Sequence, residues 1–92
     1  MITKQIATTR LQIELSEEKV RQLEELLRDT GLATKKELVN NALTLLMWAV
    51  RETTAGRTIV SLDEDSKRYK EVLLPALENA ASVAASRSRA SR

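Results

Sequence analysis

Residues 10–15, Arg-Leu-Gln-Ile-Glu-Leu, alternate polar and apolar and run directly into a helical pattern, so one short strand stands alone before two helices. A strand of this length can satisfy neither its edge N–H and C=O groups nor its apolar face by itself. The same strand from a second copy is the simplest partner. Antiparallel pairing of two copies turns Leu11, Ile13 and Leu15 toward the helices and leaves Arg10, Gln12 and Glu14 of both chains on the opposite face. A two-stranded ribbon with such a face fits the major groove of double-stranded DNA.

The rest of the composition points toward sharing a core. The 92 residues include one Trp, one Tyr and no Phe, so a single copy has little aromatic volume to bury. A chain this short is one small domain, and homodimerisation is the expected source of its stability. Neither Cys nor His is present. The usual zinc ligand sets and the Cys, His and Ser-His-Asp nucleophile arrangements are therefore unavailable. No catalytic residue, metal site or cofactor is nominated, and the chain does not read as an enzyme. No apolar run reaches the roughly 18 to 20 residues that span a bilayer, and the N-terminus lacks the apolar region of a signal peptide. A cytoplasmic protein with no membrane partner is expected, and the lack of Cys fits a reducing compartment.

Net charge is only +2, but it is unevenly distributed. Residues 16–30 carry Glu17, Glu18, Glu24, Glu25 and Asp29 against Lys19, Arg21 and Arg28. Residues 31–57 hold Lys35, Lys36, Arg51 and Arg57 against Glu37 and Glu52, and the C-terminus adds Arg87, Arg89 and Arg92. Segregated positive charge is what a nucleic-acid surface requires.

Residues 1–8 show no period and read as a flexible arm, with Lys4 available to a phosphate. The strand spans about Thr9 to Leu15. Ser16 then serves as N-cap, with Glu17 and Glu18 in the first turn where the helix dipole favours negative charge. A first helix from about Glu17 to Thr30 sets Val20, Leu23, Leu26 and Leu27 at helical spacing and stops at Gly31. Thr34 and Glu37 form a T-x-x-E capping box for a second helix from Lys35 to about Thr53. That helix is apolar on more than one face, through Leu38, Ala42, Leu45 and Trp48 among others, and Ala55-Gly56 ends it. Trp48 reads as core or dimer-interface filler rather than a recognition residue. Leu11, Ile13, Leu15, Leu38, Ala42, Leu45 and Trp48 make up the expected dimer core.

Beyond Gly56 the chain changes character. Thr58-Ile59-Val60-Ser61-Leu62 is β-branched enough for a short strand, and Asp63 reads as the N-cap of a helix through Tyr69, Val72, Leu73 and Leu74. Pro75 breaks or restarts that helix, with one further turn over Ala76 to Ala80. Residues 81–92, small, polar and basic, read as disordered.

Arg10-Leu-Gln-Ile-Glu-Leu-Ser16, the helix, Thr30-Gly31-Leu32, Thr34-Lys-Lys-Glu37 and Leu38-Val-Asn-Asn-Ala-Leu43 together resemble the ribbon-helix-helix DNA-binding proteins, the superfamily of the Arc and methionine repressors. The resemblance covers residues 9–53, roughly half the chain. It implies a mainly α fold with a short N-terminal strand, organised as an intertwined ribbon-helix-helix homodimer over residues 9–54. Residues 57–80, a strand plus a helix, are then a C-terminal extension outside the shared core. It also implies that Arg10, Gln12 and Glu14 read bases. Arginine suits guanine O6 and N7, glutamine suits adenine, and a carboxylate can accept from cytosine N4 although it repels phosphates. The second helix's N-terminus, Thr34-Lys35-Lys36, is implied to hold a phosphate.

The function expected from the resemblance is a sequence-specific transcriptional regulator, a repressor that binds operator DNA as a dimer or as several dimers on adjacent half-sites. Two alternatives stay open. In one, residues 57–80 bind a protein partner, as in antitoxins of this family. In the other, suggested by Glu14 and the acidic first helix, the dimer is a scaffold that binds no nucleic acid.

Overall fold

The computed structural model describes residues 7–90. Lys4 and most of the arm read at residues 1–8 lie outside them. The described chain is mostly helical, in the order helix, helix, strand, strand, helix. It divides into two compact units, one up to Lys35 and one from Lys36 onward.

The first unit is built around α1, Glu17–Thr30. Ser16 caps it with an extended backbone, and its Oγ accepts from the Lys19 N–H at 3.2 Å. Gly31 closes the other end in the left-handed region at φ 70°, where its N–H donates to the Leu27 carbonyl at 3.0 Å. Only a residue without a Cβ adopts that conformation freely. Val20, Leu23 and Leu27 are half-buried, whereas Leu26 is exposed.

The strand expected over residues 9–15 is not present in the single chain, where residues 7–16 carry no regular secondary structure. A strand exists only through ladder hydrogen bonds to a neighbour. No other described segment pairs with residues 9–15.

The second unit begins in α2, Lys35–Thr54, which starts directly after Thr34 with Glu37 in its first turn. Its end is a complete Schellman closure. Arg57 N–H donates to the Glu52 carbonyl at 2.9 Å and Gly56 N–H to that of Thr53 at 3.1 Å, with Gly56 at φ 88°. The Arg57 guanidinium turns back onto the same helix, donating from Nε to Glu52 Oε1 and from Nη2 to Oε2, both at 2.9 Å. Those hydrogen bonds, reinforced by the charges of Arg57 and Arg51 and opposed by burial, hold the Glu52 carboxyl below its ordinary range. A depressed carboxylate adds stability above its unfolded value, ordinarily 4.5, and loses it as pH falls through the lower folded value. Acid is therefore expected to weaken the end of α2, and Arg57→Ala to flatten the acid limb of a melting-temperature profile. An acid limb with the wild-type slope in that variant would show that the pair is not its origin.

The chain then turns into a hairpin of β1, Val60–Asp63, and β2, Arg68–Glu71, paired antiparallel with Val60 opposite Glu71 and Asp63 opposite Arg68. β1 answers to the expected strand; β2 replaces the expected helix. Asp63 caps the turn and not a helix, its Oδ1 accepting from the N–H groups of Asp65 at 3.1 Å and Ser66 at 3.4 Å. Hydrogen bonding from Ser66, side chain and backbone, and from Asp65 holds the Asp63 carboxyl low against burial. The same local bonds serve an N-cap or an Asx turn, so the residue type does not distinguish them. Lys67, with φ 58°, reverses the chain.

Pro75 opens α3, Pro75–Ala90, as an N1 proline and does not break an earlier helix. The Leu77 and Glu78 N–H groups donate to the Leu74 carbonyl at 3.0 and 3.1 Å. The disorder expected from residue 81 onward is thus overturned as far as Ala90. Ala80, Ala81, Ala84 and Ala85 are strong helix formers, and Ala80 and Ala84 are half-buried at helical spacing. Leu77 of α3 is 5% exposed and Ala49 of α2 is 7% exposed, and these are the buried apolar residues among those described.

Candidate nucleic-acid interface

Arg10, Gln12 and Glu14 lie on the segment before α1 and are all exposed. The apolar residues between them are exposed too: Leu11 at 79%, Ile13 at 70% and Leu15 at 46%. Ile13, Glu14 and Leu15 line an open groove of about 570 Å³ with Val20, Leu23 and Lys35, the apolar stripe of α1 forming one wall. The segment therefore borders an apolar surface without filling it. Alternating exposed Leu and Ile is what a strand leaves when its covering layer is missing.

At the start of α2, Thr34, Lys35 and Lys36 are exposed, with Lys35 and Lys36 as the first helical residues. The positive end of the helix dipole lies there with two ammonium groups added. Lys35 shares the groove with Ile13 and Glu14 in the first unit.

The residues expected in a dimer core sit as follows. Leu38 is half-buried, while Ala42, Leu45 at 64% and Trp48 at 44% are exposed. Trp48 is consequently no part of the core of one chain. Leu43 and Met47, exposed at 52% and 58%, extend the same uncovered character around α2. The half-buried positions of α2 are Leu38, Leu46, Val50, Glu52 and Thr53.

Two features went unread in the sequence. One is the Glu52–Arg57 pair, whose five-residue spacing crosses a helix end and so matches no pairing rule within a helix. The other is β2, whose Arg, Tyr, Lys and Glu have little strand character; the turn-forming cluster Asp63 to Ser66 was its available signal. Among the described residues, no group of acidic side chains is placed to hold a metal ion and no helix is long and apolar enough to cross a membrane. Comparison with protein-family models, curated proteins and solved structures found no match for this chain.

Proposed function

We propose that the protein is a ribbon-helix-helix regulator of transcription, in which two copies pair their residues 9–15 as an antiparallel ribbon that enters the DNA major groove. The observation that carries this reading is the exposure of Leu11, Ile13 and Leu15 at every second position, with no strand among the described residues to cover them. The groove beside Val20 and Leu23 supports it, because it offers a second copy apolar side chains bordered by Glu14 and Lys35. So does the exposed surface of α2, which two copies bury together. In the paired state Arg10, Gln12 and Glu14 face the bases. Lys35 and Lys36, with the α2 N-terminus, engage phosphate and set the register.

Selection of binding sites from a pool of random duplexes, followed by a salt titration on the winner, tests the reading. A short palindromic or repeated motif with steep salt dependence is expected, since each neutralised phosphate adds about 0.9 to the log-log slope. No enrichment and flat binding favours a dimer that binds no nucleic acid, a reading drawn from Glu14 and the acidic face of α1. Replacing Lys35 and Lys36 together with alanine is expected to weaken binding equally on selected and random duplexes. The salt slope should fall by about two per protomer. An unchanged slope would return both lysines to the solvated surface.

A further inference from the structure

The β1–β2 hairpin is uncovered, since all eight of its strand residues are exposed and no other described strand pairs with either outer edge. A two-stranded hairpin is marginal by itself, and three or more strands with an apolar face are needed for stability. The register puts Val60, Leu62 and Tyr69, exposed at 43%, 59% and 68%, on one face together with Glu71, and Ser61, Asp63, Arg68 and Lys70 on the other.

The two edges differ. β2 carries Arg68, Lys70 and Glu71, the kind of charge that keeps an edge from pairing. β1 is uncharged from Thr58 through Leu62 and has no proline. The bond from Val72 N–H to the Ile59 carbonyl, 2.8 Å, makes Ile59 and Val72 a hydrogen-bonded pair. By alternation Ser61 and Asp63 bond toward β2, while the N–H and C=O groups of Val60 and Leu62 point away from the hairpin.

We infer that β1 pairs antiparallel with β1 of a second copy, making a four-stranded sheet of order β2-β1-β1-β2. A second copy suits this edge because an antiparallel self-register brings the outward-facing groups of both edges together. Centring the two-fold on Ser61 sets Val60 against Leu62 of the mate in both directions. Each of these residues has its outward groups available, and both lie on the apolar face. The same register brings Arg57 of each copy toward the acidic turn of the mate, which carries Asp63, Glu64 and Asp65, so the flanking charges are complementary. Arg57 bonds Glu52 through Nε and Nη2 and keeps Nη1 for such a contact. This pairing rests on the hairpin alone and not on DNA binding.

Ser61 faces itself across the two-fold at a non-hydrogen-bonded site, where Cα atoms approach to about 4.5 Å. That lies within disulfide range, about 4.4 to 6.8 Å. The chain has no cysteine, so Ser61→Cys introduces a single thiol. Under mild oxidation the full-length Ser61→Cys protein is expected to form a covalent dimer on the order of tenfold or more faster than a Lys70→Cys control on the charged edge. Val60→Pro removes an outward N–H and leaves the hairpin's own ladder intact. Added to Ile13→Glu, which removes the ribbon, it is expected to reduce the particle mass measured by sedimentation equilibrium to that of a monomer. Equal cross-linking of the two cysteine variants, or a mass for Ile13→Glu that Val60→Pro leaves unchanged at a dimer's, overturns the pairing. Repeating the cross-linking with Ile13→Glu added separates the two interfaces: persistence is expected, whereas loss would mean that the β1 contact depends on the ribbon and overturns its independence.

Discussion

Ile13→Glu is expected to abolish the ribbon and DNA binding together while leaving α1 and α2 largely helical, with the remaining association carried by the β1 edge alone. In one chain Ile13 is 70% exposed, so a carboxylate there meets water and costs the isolated fold little. In the paired ribbon two such carboxylates enter a shared apolar layer without partners. An uncompensated buried charge costs about 3 to 5 kcal/mol, and each dimer contains two. A loss of that size exceeds what most dimers of this size can absorb. Sedimentation equilibrium reads the mass and circular dichroism the helix content. A dimer's mass for Ile13→Glu combined with Val60→Pro, or retained specific DNA binding by Ile13→Glu, would place Ile13 outside the interface and rule out the ribbon.

Arg10→Ala is expected to erase sequence preference at one base pair of each half-site while leaving most non-specific affinity in place. A bidentate arginine–guanine contact discriminates by about 1 to 3 kcal/mol, and the two-fold symmetry of a dimer applies that loss twice. Affinity for the selected duplex should therefore fall on the order of tenfold to ten-thousandfold, with a much smaller fall on random DNA. Equal losses on both would make Arg10 a phosphate contact. The comparison also bears on Glu14 of the same segment: Glu14→Gln removes a charge that repels phosphate, so tighter binding to all duplexes would show that its carboxylate opposes binding.

The local boundaries were legible because each is set by residues within a few positions of the break. Ser16 before two glutamates starts α1, Gly31 in a left-handed conformation ends it, and Gly56 closes α2. These signals work through short-range hydrogen bonds and backbone sterics, so a sequence states them directly. The region after Gly56 was less legible. Asp63, Ser66 and the charged residues that follow suit a helix start and a hairpin turn alike, and the choice was made by pairing with Val60–Asp63. The length of α3 was missed for a different reason: beyond the turn read over Ala76 to Ala80, small, polar and basic residues with only Val83 among them suggested disorder, but alanine is a strong helix former.

For the candidate site, the sequence by itself determined the residue alternation at 10–15 and the two lysines at the start of α2, because both are local patterns. Whether the alternating segment is a strand was beyond it, since strand structure is a property of two segments. The tertiary structure decided that none of the described segments serves as that partner, and that Leu11, Ile13 and much of α2 stay uncovered in one copy. It also decided that the bare edge is β1 and the charged edge β2, a distinction that exists only once the register of the hairpin is set. The physical reason is the same in each case: capping and turn chemistry are fixed by neighbours in sequence, whereas burial and strand pairing are fixed by which surfaces meet.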